Sequence, residues 1–158
     1  MSDDIGKASD AKVSSKQRDE YFAVSFRIMG DGVEPSELTA LLGVMPTKAH
    51  KKGDANTSKT KKGKIITYAP FTSGLWCLDS QLDKTSSLND HIINIIDDIE
   101  PKKDVLLMLK EKGFEIDFYC GYFFSSSAQA GISLSNDILE RMSKLGIDFN
   151  LSLYPHIC

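Results

Sequence analysis

Tyr21-Phe22-Ala23-Val24-Ser25-Phe26-Arg27-Ile28-Met29 is the stretch from which the fold can be read. Phe22, Val24, Phe26 and Ile28 fall on one side and Tyr21, Ser25 and Arg27 on the other, the period of two that a half-buried strand requires. The run from Phe114 to Phe124 repeats the pattern, with Phe114, Ile116, Phe118 and Cys120 opposite Glu115, Asp117 and Tyr119. A third alternation near the end is expected to bury Ile147, Phe149, Leu151 and Leu153 and to leave Asp148, Asn150 and Ser152 on the other face. Strands that alternate, rather than running apolar throughout, are covered on one face only.

Helical spacing fills the intervals. Pro35 suits a first helical position, Leu38, Leu41 and Leu42 form a stripe, and Gly43 is placed to end it. Ser87 with Asp90 three residues on resembles a capping box ahead of Ile92, Ile93, Ile95, Ile96 and Ile99. Pro101 opens a further helix with Val105, Leu106 and Leu109 inward and Gly113 as its stop. Ser135 or Asn136 caps a last helix carrying Ile138, Leu139, Met142 and Leu145, which Gly146 ends. Further strands are expected at Ile65 to Phe71, interrupted at Pro70, at Gly74 to Asp79, and at Gly131 to Leu134. The intermixed elements predict an α+β fold: a mixed or antiparallel sheet with helices mainly on one face, ferredoxin-like in character.

At 158 residues the chain fits a single domain. Residues 1–19 hold only Ile5 and Val13 as sizeable apolar side chains and are expected to be a disordered N-terminal tail, leaving 20–158 as the domain. A hydrophobic share of 41% and a charged share of 26% place it among ordinary soluble proteins. A formal charge of −3 excludes a globally basic nucleic-acid binder. No apolar run approaches the roughly 18–20 residues of a membrane span. Met1 to Gly6 has neither the basic start nor the apolar core of a signal peptide, so the expected location is cytoplasmic, away from membranes.

Cys77, Cys120 and Cys158 are odd in number and far apart, so no disulfide framework is expected, and Cys77 and Cys120 read as small buried hydrophobes. His50, His91 and His156 are equally dispersed, and no metal site is expected. No phosphate-binding glycine loop is present, since Gly63-Lys64 lacks both the preceding loop and the following Ser or Thr, and no cofactor is expected. Trp76, between Leu75 and Cys77, reads as a core anchor.

Two regions are candidates for function. Lys48 to Lys64 carries seven lysines and His50 against the single acid Asp54, a net +6, so the rest of the chain sums to −9. Read as a polar loop, it accounts for itself as a solvated surface or as an anion-binding element for phosphate, nucleic acid or an acidic partner, with Lys48, His50, Lys51, Lys52 and Asp54 as candidate binding residues. It has no arginine and no interleaved aromatics, which argues against nucleic acid. The second region is the uncovered sheet face. If the alternating strands are neighbours, Arg27, Asp117, Tyr119 and Asn150 meet there, either as a structural ion pair with its surroundings or as a ligand surface.

Gly30-Asp31, Pro35, Glu37-Leu38-Thr39, Leu41-Leu42-Gly43, Pro46-Thr47, Ala49 and Lys52-Gly53-Asp54 together resemble the opening of an uncharacterised bacterial family, domain of unknown function 4279. Gly74-Leu75-Trp76, Gly121, Ser133-Leu134-Ser135 and Leu145-Gly146 also match, so the resemblance covers about residues 21 to 154. The lysines between Asp54 and Lys64 depart from the family's pattern. The resemblance implies a small α+β domain and brings no activity or catalytic residues. With no catalytic motif legible, the expected function is a non-enzymatic module that docks on another protein, immunity proteins being one such class. The alternatives are a small-molecule-binding regulator on a ferredoxin-like sheet, and an enzyme with a site assembled from Arg27, Asp117, Tyr119 and His91.

Overall fold

The structure is a computed structural model and describes residues 20–127 and 129–156. In chain order the elements are β1 (Tyr21–Gly30), α1 (Pro35–Leu42), β2 (Lys48–His50), β3 (Asn56–Lys59), β4 (Ile65–Tyr68), β5 (Gly74–Asp79) and α2 (Leu88–Ile99). A 3-10 turn (Glu100–Lys102) leads into α3 (Lys103–Glu111), then β6 (Glu115–Ser125), α4 (Asn136–Leu145) and β7 (Asp148–His156). Five strands form one sheet in the order β2-β5-β1-β6-β7, and β3 and β4 form a separate two-stranded ribbon. The sheet is antiparallel except between β6 and β7, which run parallel. A parallel pair needs a crossover, and α4 supplies it. The result is an α+β fold on a mixed sheet.

The helices cover the face that the alternation of β1 marks out. Phe22, Val24, Phe26 and Ile28 of β1 join Ile116, Phe118, Cys120 and Tyr122 of β6 and Trp76 of β5 in one core. All four helices add residues to it, among them Leu42, Ile96, Leu106 and Met142. Phe26 meets the rings of Trp76 and Phe118 edge-on, with centroids 6.3 and 5.7 Å away. Trp76 is fully buried, and its indole N–H donates to Thr39 Oγ1 of α1 at 3.1 Å. Ser87 and Ser135 cap α2 and α4 by accepting from the amides of Asp90 and Ile138. Gly43 and Gly146 end α1 and α4 with φ of 71° and 69°, a left-handed conformation that side chains disfavour. Outside the core, Arg141 of α4 holds the end of α2 and the turn after it by donating to Asp97 and Glu100.

Three expectations are corrected. The segment from Pro46 to Lys64 is not simply a loop: it contains β2, which pairs along β5, and β3, which pairs with β4. Alternation gave no warning of β3, which faces solvent almost throughout; its partner β4 falls within the strand expected at Ile65 to Phe71. Residues 131–134 form no strand; the backbone runs irregularly, with the Gly131 amide donating to the Tyr122 hydroxyl. On β7, the expected burial of Leu151 and Leu153 is absent, and they are 38% and 60% exposed. The strand lies at the edge of the sheet; of its alternation, Ile147, just before it, is buried in the core and Phe149 packs half-buried against it. Cys77 and Cys120 are buried as free thiols. The expected tail (1–19) and Cys158 lie outside the described residues. Among the described residues, no helix is long and apolar enough to cross a membrane.

Candidate functional site: the bare sheet face and the lysine ribbon

Arg27 of β1 stands directly across from Asp117 of β6, and Tyr119 of β6 directly across from Asn150 of β7. The register thus brings together the four residues that the alternation had placed on one face. Arg27 grips Asp117 with two parallel bonds, Nε to Oδ1 at 2.9 Å and Nη2 to Oδ2 at 2.6 Å. Asn150 Nδ2 adds a third at 2.7 Å to Oδ2. The Asp117 side chain is only 4% exposed and its carboxylate is held by three donors, so it is spent on structure and poorly placed to act as a base. The guanidinium lies 4.6 Å over the Tyr119 ring, and its hydrogen bonds to Asp117 raise its pKa above the ordinary value.

The Tyr119 and Tyr154 hydroxyls are 2.9 Å apart. Hydrogen bonds with Ser152 and Tyr154 draw the Tyr119 phenol below its usual range, while the bond to Tyr119 raises Tyr154. On β5, Cys77 lies opposite both Arg27 and Lys48. Burial, reinforced by Asp79, pushes its thiol up to about 11, which keeps it protonated and unreactive at neutral pH. Asp79 in turn accepts from Ser25 Oγ at 2.6 Å.

Sequence reasoning overlooked the aromatic ladder on this face. Tyr21, Phe123 and Tyr154 stand side by side across β1, β6 and β7, with centroids 4.5 and 4.6 Å apart and planes within 10°. Lys84 Nζ closes one end, 4.6 Å over the Tyr21 ring. Gly121 makes room for the ladder: a Cβ there would lie 3.2 Å from the Phe123 ring and 3.4 Å from that of Tyr154. The signal was present in the alternation, since Tyr21 shares its parity with Arg27, and Phe123 with Asp117. Their aromatic character hid it, because an aromatic on a polar face is read as noise until its neighbours are known.

The lysine-rich segment divides in two. In its first half Lys51 pairs with Glu34 at 3.0 Å and Lys52 with Asp31 at 2.9 Å, and that bond lowers the pKa of the Asp31 carboxyl. Asp54 accepts from the Lys51 amide at 2.8 Å, and the His50 ring stacks on Phe71 at 3.5 Å. His50, Lys51, Lys52 and Asp54 therefore fasten this stretch to the turn after β1 and to Phe71, while Lys48 stays exposed on β2. In the second half, Lys59, Lys61, Lys62 and Lys64 form no ion pair with any described residue. They surround the turn of the β3–β4 ribbon, which is closed by the Thr60 amide on the Lys64 carbonyl at 2.8 Å.

His91 does not join Arg27, Asp117 and Tyr119. It lies on α2, on the helical side of the sheet and 1% exposed, with Nδ1 2.6 Å from Ser80 Oγ. Burial holds its pKa below the ordinary value against the opposing pull of the Lys84 carbonyl, Asp90 and Asp83. A site built from those four residues is ruled out, because the sheet stands between them. Among the described residues, no group of three or more His, Cys, Asp or Glu side chains is arranged to hold a metal ion.

These features define an α+β domain with one helix-covered face, one bare face bearing a polar network and an aromatic ladder, and a basic ribbon. Residues 19–156 match the domain of unknown function DUF4279, and the chain belongs to that family. No curated protein and no solved structure matches it.

Proposed function

We propose that this chain is a non-enzymatic protein-binding module, of the kind immunity proteins represent, and that the β3–β4 ribbon docks an acidic protein. The observation that carries the reading is the coincidence on one ribbon of four lysines without acidic partners among the described residues and three exposed apolar side chains, Ile65, Ile66 and Tyr68, at 66%, 36% and 50% exposure. Lysines kept only for solubility would leave the isoleucines unexplained, whereas a docked partner covers them while its carboxylates meet the lysines. The small-molecule alternative draws on a cleft of about 430 Å³ lined by Leu38, Leu41, Leu109 and Phe114 with Glu34, Glu37 and Lys112. Glu34 is already engaged there by Lys51.

The test is a variant in which Lys59, Lys61, Lys62 and Lys64 are all changed to Gln. Stability should stay within about 0.5 kcal/mol per site. Proteins cross-linked to the wild type in a lysate of the source cells should be identified by mass spectrometry, and the on-rate of each purified binder measured against salt. An acidic binder whose association slows with salt for the wild type, and hardly responds for the variant, is the expected result. Identical binders and identical rates for the two chains would overturn the reading. Tight binding to random duplex DNA with a steep salt slope would replace it with nucleic-acid binding.

A further inference from the structure

We propose that β7 is an interface between two copies of this chain, which pair antiparallel about Ser152 and join their sheets across a two-fold axis. The two edges of the sheet are finished differently. At one end β2 is three residues long and presents Lys48. At the other, β7 runs for nine residues, Asp148 to His156, with no lysine, arginine or glutamate. Short, charged edges resist strand addition, and long apolar ones invite it.

The direction of the backbone groups follows from one bond. The Ser126 amide donates to the His156 carbonyl at 3.0 Å, so the peptide groups of His156 point toward β6. Backbone groups alternate along a strand, so Phe149, Leu151, Leu153 and Pro155 turn theirs outward, and β7 has no neighbour on that side among the described residues. Pro155 has no N–H to offer there, which ends the pairing at this position.

Folding the sequence of β7 back on itself about Ser152 gives a self-complementary set, as a two-fold interface requires. Leu151 meets the partner's Leu153, and Leu153 the partner's Leu151, covering two side chains that are 38% and 60% exposed. Asp148 meets the partner's His156, and the symmetry repeats the contact, so a carboxylate faces an imidazole N–H at each end. The outward groups then make about six hydrogen bonds: two for each leucine pair, and one at each end from the Phe149 amide to the partner's Pro155 carbonyl. The edge spans only roughly 30 Å. An interface this narrow falls in the class that associates weakly, so the dimer should form at micromolar concentrations.

The experiment is sedimentation velocity and light scattering on the full chain across roughly 1–500 µM. The mass should climb from 17.5 kDa toward twice that value. Leu153→Lys places a charge against the partner's Leu151 while touching only an exposed side chain, and Leu153→Pro removes an amide that points away from β6. Both variants should stay monomeric throughout, with unchanged circular dichroism, and Leu153→Lys decides the matter if the proline variant fails to fold. Asp148→Lys should weaken the dimer by at least about tenfold, and adding His156→Asp should restore it. A wild type that remains at the protomer mass overturns the proposal. So does a dimer that Leu153→Lys leaves intact, or open-ended assembly without a stop at two copies.

Discussion

Phe26 and Arg27 are adjacent on β1, and the sheet turns them to opposite faces. Phe26 has no exposure and is held by shape, between Trp76 and Phe118. Arg27 is held by direction, through two bonds to a buried carboxylate and a tyrosine ring beneath its guanidinium. The covered face gains from area removed from water and tolerates little loss of volume. The bare face gains from partners, so what it loses on substitution depends on which partner is left behind.

The largest expected effect is on the covered face. Trp76→Ala removes a fully buried ring and strands the Thr39 hydroxyl, and should lower stability by about 3–5 kcal/mol in a denaturant titration. A loss under about 1 kcal/mol would mean that the two faces do not differ in the way described.

On the bare face the order of the single variants is diagnostic. Arg27→Ala leaves the Asp117 carboxylate buried with only Asn150 for company and should cost about 2–4 kcal/mol. Asp117→Ala frees an arginine that is already 28% exposed and can turn to water, so it should cost less, about 1–2 kcal/mol. The double variant Arg27→Met, Asp117→Leu should cost less than Arg27→Ala, since no charge is left stranded. Equal losses for the two alanine variants would break the account, which rests on Asp117 being the buried member.

The smallest effect sharpens the comparison through pH. His91 is a polar group on the covered face, and burial depresses its pKa below 6.5. The unfolded chain then takes up a proton that the folded one resists, so the stability His91 contributes is complete above about pH 6.5 and declines as pH falls toward the folded value. The slope is at most about 1.4 kcal/mol per pH unit. Midpoints of wild type and His91→Gln between pH 5 and 7.5 should diverge in this sense, with the variant flatter. Parallel curves would show that His91 titrates alike folded and unfolded.

Much of the covered face was legible because burial leaves a period. The alternation of β1 and β6, the stripes of α1, α2 and α4, and the caps Ser87, Ser135, Gly43 and Gly146 each follow from local geometry and stand where the sequence put them, except that Leu139, expected in the α4 stripe, is 47% exposed. In the ribbon, β3 left no period, because it faces water almost throughout; β4 was legible as strand from Ile65 to Tyr68, but nothing local showed that it pairs with β3 rather than in the core sheet. On β7 the period was present and misleading. Leu151 and Leu153 alternate as a buried strand does, but whether anything covers them depends on where the strand lies in the sheet. The bare-face cluster was half legible: parity placed Arg27, Asp117, Tyr119 and Asn150 on one face, and only the pairing of β1 with β6 and of β6 with β7 made them neighbours.

By itself, then, the sequence determined which residues share a face, where helices start and stop, and how charge is distributed, because these depend on contacts a few residues apart. The tertiary structure decided which strands are adjacent, that β7 is an edge, that His91 lies across the sheet from Arg27, and that half of the lysine run is tied down by Asp31, Glu34 and Phe71. Those outcomes join residues separated by tens of positions. They are settled by the packing of whole elements, which no local period encodes.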